Sequence, residues 1–159
     1  MNRINKENYY LDIAQTVASR STCLRRKYGA IIVKNDTIVS TGYNGAPRGR
    51  LNCNDMGYCL REKMNIPRGE RYEMCRAVHS EANAIIAAAR ELMLGATMYI
   101  VGIDGGELAA NIDSCQMCKR LIINAGIDEV VYRRTSEVYD SVNVADWITD
   151  DDSLGKIGY

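Results

Sequence analysis

A three-layer α/β/α domain with a mixed sheet is the fold class that this 159-residue sequence predicts. Three observations carry it. Two β-branched runs flank a turn dipeptide early in the chain, helix and strand patterns alternate in its second half, and the length fits one hydrophobic core. The antiparallel hairpin and a parallel helix–strand unit must then share one sheet, with helices on its faces.

Each element follows from the residues. Over residues 6 to 20, Tyr10, Ile13, Ala14 and Val17 recur at helical spacing, with Asn5 placed as cap. "GAIIVK" and "TIVSTGY" surround Asn35-Asp36 and predict a hairpin of residues 29 to 34 and 37 to 43. Periodicity fades from Leu51 to Arg76, where three cysteines, two glycines and many charges fall. A loop of that length needs something to tie it down. Order returns with a helix over 79 to 92 and the strand "TMYIVG", 97 to 102. The helix "CQMCKRLIINA" is stopped by Gly126, and "DEVVYR", 128 to 133, is the last strand read. The acidic end, "TDDDSLGKIGY", is expected to be mobile or to serve subunit contacts. The expected organisation is a single domain over 1–159, with a Cys-containing insertion at about 51–76.

Composition narrows the function. Twenty Lys plus Arg balance twenty Asp plus Glu, so no global positive field holds a duplex by its phosphates and no stable nucleic-acid partner is expected. No apolar run approaches the roughly 20 residues that cross a bilayer, and "MNRINKENYY" lacks a secretory apolar stretch. A cytoplasmic protein is expected. Six cysteines in a reducing compartment point to metal binding or chemistry more than to disulfides.

Cys115 and Cys118 form C-x-x-C at the first turn of a predicted helix, with Asp113 and Ser114 as capping candidates. A helix N-terminus favours the thiolates that a metal requires. His79, the single histidine, opens the preceding helix, and parallel helices on one side of a sheet bring two such ends together. One His and two Cys make an open zinc (Zn2+) site with the fourth position left for water. Glu81, two residues on, would reach that water without ligating. Either motif alone is weak, since a solitary His more often serves surface or core and C-x-x-C can be a redox pair. The redox reading loses ground because no thioredoxin-like strand precedes the cysteines.

With "HSEANAI" and "DSCQMCKRLIINAGI" in that order, the chain resembles the zinc-dependent cytidine and deoxycytidylate deaminases, whose signature is H-x-E followed by P-C-x-x-C. Ser114 stands where that family usually has proline. The resemblance extends through "STCLRRKYGAIIVKNDTIVSTGYNGAPRG", "GATMYIVG" and "AGIDEVVY", is nearest to the deoxycytidylate deaminases, and implies a cytidine-deaminase-like fold. It implies hydrolysis of deoxycytidine monophosphate (dCMP) to deoxyuridine monophosphate and ammonia, serving thymidylate supply. Glu81 would carry the proton to N3 of the base, backbone N–H groups near Ser80 and Glu81 would hold its carbonyl, and Asn44 would contact the nucleotide. Of the arginines and lysines flanking the hairpin, Arg26 and Arg48 are the candidates for phosphate contact.

Cys23, Cys53, Cys59 and Cys75 remain, and four thiolates would make a closed structural zinc site clamping the insertion. Some buried apolar cysteines are the plain alternative. The resemblance further implies a homo-oligomer, a hexamer in regulated members, activated by deoxycytidine triphosphate with Mg2+ and inhibited by thymidine triphosphate. Competing readings are deamination of cytidine, guanine or tRNA adenosine, and a non-catalytic zinc-stabilised competence or DNA-uptake accessory protein.

Overall fold

The structure is a computed structural model and describes residues 2 to 151; the last residues of the acidic end, 152–159, expected to be mobile or to serve subunit contacts, lie outside the described residues. Helix α1 spans Lys6–Ala18, capped by Asn5, whose Oδ1 accepts from the Asn8 N–H at 2.8 Å. It ends two residues before Arg20 because the N–H groups of Ser19, Arg20 and Ser21 bond three residues back, closing the last turn tightly.

Strands β1 (Arg26–Lys34) and β2 (Thr37–Tyr43) form the expected hairpin, with Asn35 at φ 50° and Asp36 at φ 60°. Both values are left-handed, as the twist-matching two-residue turn demands. Strand β1 starts at Arg26, earlier than expected, because it pairs on its other edge with a strand that continues to Asp104.

The insertion is not bare loop. It contains two single-turn helices, α2 (Cys53–Met56) and α3 (Leu60–Lys63), and a 3-10 turn at Tyr72–Met74. The expected helix over 79 to 92 is two helices, α4 (Ser80–Ile86) and α5 (Arg90–Met93). Alanine propensity favours continuing through Ala87-Ala88-Ala89. The break instead brings Met93 and Ala96, 4% and 1% exposed, into the core.

Strand β3 (Thr97–Asp104) runs antiparallel to β1, with β4 (Glu107–Leu108) folded back on its end. Helix α6 (Gln116–Ala125) then crosses to β5 (Glu129–Arg133), which lies parallel to β3. Two further elements follow, strand β6 (Tyr139–Asn143) and helix α7 (Val144–Thr149). The polar β6 is an edge strand without clean alternation, which is why the hydrophobic pattern missed it. Sheet order is β2-β1-β3-β5-β6.

Side-chain alternation divides the core into two layers. Ile31, Val33, Tyr99, Val101 and Val131 pack on Tyr10, Leu11 and Ala14 of α1. Ala30, Ile32, Met98, Ile100, Val130 and Tyr132 face Ala84 of α4, Met93 of α5 and Ile122 of α6. The second layer stands close to the sheet at Gly42, where a Cβ would lie 2.3 Å from the Ser80 carbonyl oxygen and 2.4 Å from the Ala84 nitrogen. Glycine there lets the first turn of α4 touch β2. Among the described residues no helix is long and apolar enough to cross a membrane.

Candidate metal centre

His79 is the N-cap of α4 and Cys115 the N-cap of α6, so both helix starts open at the same end of the sheet. Three local ties fix the first. Gly45 and Val78 exchange backbone hydrogen bonds at 2.8 and 3.2 Å, the Asn83 amide donates to the Tyr43 carbonyl at 2.8 Å, and Gly42 admits the helix. The sulfurs of Cys115 and Cys118 each lie 3.5 Å from His79 Nδ1, and the three donor atoms fall within 4.8 Å of one another. Tetrahedral bonds of roughly 2.3 Å to sulfur and roughly 2.0 Å to nitrogen place S and N about 3.5 Å apart. One imidazole and two thiolates at that separation fit zinc and leave one position open.

Electrostatics agree with a site built for a cation. Cys118 is 1% exposed, and its thiol is pushed up by the hydrogen bond to Cys115, by burial and by the Glu81 carboxylate. Cys115 is driven the opposite way, held as thiolate by Cys118 and His79 against the cost of burial. Burial disfavours a charged His79, but its hydrogen bonds to Cys115 and Cys75, with Glu81 nearby, push its pKa up to about 10. Without an ion, a proton held between His79 and Cys115 would take its place.

Glu81 is 6% exposed and accepts from Ser80 Oγ at 2.8 Å. It lines, with His79, Ser80, Cys115, Asn44 and Tyr28, a cavity of about 110 Å³. Asn44 is 7% exposed; its Oδ1 accepts from Ser21 Oγ at 2.5 Å and the Tyr28 N–H at 2.8 Å, and its amide donates to the Arg26 carbonyl at 2.9 Å. It is thus both a brace that ties the turn after α1 and strand β1 to the end of β2, and a cavity wall.

Asp113 and Ser114 do not cap α6, whose N-cap is Cys115. Ser114 is instead held by Tyr132, whose hydroxyl donates to Ser114 Oγ at 2.9 Å and accepts from its N–H at 3.3 Å, while Asp113 Oδ1 takes the same N–H at 2.8 Å. A proline has no N–H to offer here, so the tyrosine contact supplies the fixing that a ring would otherwise give.

Arg26 lies beside the centre but is paired with Asp104 at 3.0 Å. Arg48 is exposed on the loop after β2 and lines neither this cavity nor the larger one next to it. Tyr72, set edge-on to the His79 ring at 5.2 Å and 83°, was invisible to sequence reasoning because its segment has no periodicity.

All six cysteines are free thiols. Burial raises the Cys53 thiol, and Cys23, Cys59 and Cys75 raise it further, so these four share one neighbourhood. Among the described residues, however, only the His79, Cys115 and Cys118 donors meet closely enough for one ion. Burial pushes the Cys75 thiol up, but its hydrogen bond to His79, the Ala77 backbone and nearby positive charge bring it below its usual value.

Layer order and donor set together define an α/β protein with an open three-donor metal site. The family model described as the cytidine and deoxycytidylate deaminase zinc-binding region matches residues 4–134, and the chain belongs to that family. The deoxycytidylate deaminase of Mycobacterium phage D29 is 38% identical over 141 residues, covering 86% of this chain and all of that one. The Schizosaccharomyces pombe deoxycytidylate deaminase is 36% identical over 135 residues, 85% of this chain and 38% of that longer protein. The apo dCMP deaminase of cyanophage S-TIM5 superposes with a TM-score of 0.57 at 26% identity, covering 83% of this chain and 85% of that one.

Proposed function

We propose that this chain is a zinc-dependent deaminase that converts dCMP to deoxyuridine monophosphate and ammonia. The observation that carries the reading is one cavity holding a three-donor metal cluster together with a buried carboxylate that is not a donor. Relatives of that name at 38% and 36% identity support the substrate. We read residues 1–159 as one deaminase domain whose insertion, about 51–76, walls the cavity through Tyr72 and Cys75.

In this reading His79, Cys115 and Cys118 hold the zinc, which when bound acidifies a water molecule enough to make a nucleophile at neutral pH. Glu81 would carry one proton from the attacking water to N3 of the cytosine ring as the C4–O bond forms, and a second, from the new C4 hydroxyl, to the amine as the C4–N bond breaks. Its Ser80 hydrogen bond keeps the carboxylate aimed. The N–H groups of Ser80 and Glu81 start α4 and have no carbonyl to bond within the helix, which suits them to the base O2. Asn44, braced by Ser21 and Tyr28, offers its remaining amide hydrogen to the nucleotide.

The test is ammonia release from dCMP, deoxycytidine, cytidine, guanine and a tRNA anticodon stem by the zinc-loaded protein. Turnover of dCMP well above the others supports the proposal. Turnover of another substrate alone moves the activity within the family, and none at all, with zinc bound, favours an accessory protein.

Gly42→Ala should cut kcat by roughly 100-fold, because its methyl would push the first turn of α4, and with it His79 and Glu81, away from β2. Gly29→Ala is the comparison. Its Cβ would meet α1 backbone on the far face, 2.1 Å from the Ala14 oxygen, so it should lower the melting temperature while the folded fraction turns over normally. Steady-state kinetics beside thermal melts separate the two.

We further propose a structural zinc on Cys23, Cys53, Cys59 and Cys75, supported by their common neighbourhood around Cys53; Cys75 would exchange its contact with His79 for the ion. Purified protein should then carry two zinc atoms per chain. A content of one per chain, the same in Cys53→Ala, removes this site.

A homo-oligomer is supported by apolar side chains left in solvent, Ile86 at 76% and Ile148 at 63% exposure. Light scattering should return a multiple of the 17.7 kDa chain mass, six in a hexamer, and the resemblance predicts activation by deoxycytidine triphosphate with Mg2+. A monomer unaffected by that nucleotide contradicts both.

A further inference from the structure

A second cavity, of about 390 Å³, adjoins the metal cavity and shares Tyr28 and Tyr72 with it. We infer that it is the subsite for the 5′-phosphate, and that Arg61 and Arg68 of the insertion are the residues that read it. The inference rests on the deaminase reading above.

The cavity is lined by four arginines and two carboxylates, and the carboxylates are already used. Arg25 Nε lies 3.0 Å from Glu62, and Arg26 Nε lies 3.0 Å from Asp104. The remaining two cations, Arg61 and Arg68, have no carboxylate partner among the described residues. Arg61 is 5% exposed, yet its Nε meets no acceptor.

Two carbonyls, of Pro67 at 2.9 Å and Glu70 at 2.7 Å, take its Nη2, and the Tyr72 ring lies 4.6 Å beneath the guanidinium. A staple for the loop explains those two bonds. It does not explain a buried positive charge with no carboxylate partner and an empty donor, which is costly unless an anion completes it.

A phosphomonoester brings up to two negative charges and acceptor oxygens that suit a planar guanidinium. With the cytosine ring at the metal centre, the sugar passes between Tyr28 and Tyr72 and the phosphate reaches the two uncompensated arginines. Tyr72 then touches both ends of the arrangement, the face of Arg61 and the edge of His79. The insertion thereby distinguishes nucleotide from nucleoside.

The zinc-loaded, full-length protein is tested by calorimetry with deoxyuridine monophosphate and with deoxyuridine, and by kcat/KM for dCMP and for deoxycytidine. Arg68→Ala should weaken binding of the monophosphate by roughly tenfold or more and lower the dCMP-to-deoxycytidine kcat/KM ratio by the same factor. Arg61→Lys, which keeps the charge but loses the planar fork, should move both in the same direction. Arg48→Ala should move neither.

Equal losses for nucleotide and nucleoside, or unaltered monophosphate affinity in Arg68→Ala, overturn the assignment. If the Arg61 variant fails to fold, the exposed Arg68 decides alone. If the unmutated protein turns over no dCMP, the deaminase reading fails by itself. Its preference for deoxyuridine monophosphate over deoxyuridine, and the loss of that preference in Arg68→Ala, still judge the cavity.

Discussion

Glu81→Gln should bring turnover of dCMP down by roughly 10² to 10⁴-fold, the span that a positioned proton carrier contributes, while zinc content stays at the level of the unmutated protein. The substitution is nearly isosteric and keeps an oxygen to accept from Ser80 Oγ, the contact seen at 2.8 Å. Packing around a side chain only 6% exposed is therefore preserved. What disappears is the ability to take a proton and return it. Parallel measurement of ammonia release and of zinc by atomic absorption separates the roles. Loss of zinc would make Glu81 a ligand, and turnover within roughly tenfold of normal would give the proton task to another group.

Glu81 also shows what sequence can and cannot disclose. Its role depends on His79, Cys115 and Cys118 meeting, and that meeting was legible because both motifs sit at helix starts, separated by one strand and one crossover. Parallel β3 and β5 deliver it. The hairpin was equally readable, since Asn35 and Asp36 are residues that tolerate the left-handed turn required between two β-branched runs. The break between α4 and α5 was not, because three alanines carry no stop signal and burial of Met93 and Ala96 decides the matter from outside the segment. Strand β6 escaped for a related reason, as an edge strand needs no hydrophobic alternation. Arg61 and Tyr72 were hidden most completely. They occupy a segment without period, and their importance lies in what they lack or touch in space: an acceptor for Nε in the one case, the His79 ring in the other.

His79→Ala should abolish both zinc retention and turnover, since the chain has no second histidine to replace it, and the two cysteines alone leave the ion half-coordinated. Chelation of the unmutated protein should reproduce the loss reversibly. The metal-free state then carries its own signature. There the His79 pKa is raised to about 10, against about 6.5 in an unfolded chain. A group with a raised folded pKa gives its full stabilisation below the unfolded value and loses it as pH climbs through the folded one. The His79 contribution should therefore be lost between about pH 6.5 and pH 10, so the melting temperature of the chelated protein should fall relative to that of chelated His79→Ala over this range, while the lowered Cys115 thiol contributes in the opposite direction. In the zinc-loaded protein the ring is already neutral and bonded to the ion, so this component should vanish, and zinc uptake at pH 7 should release protons. Identical melting profiles for chelated wild type and chelated His79→Ala would mean that His79 is not held as a cation by Cys115 and Cys75. The metal would then have no proton to displace there.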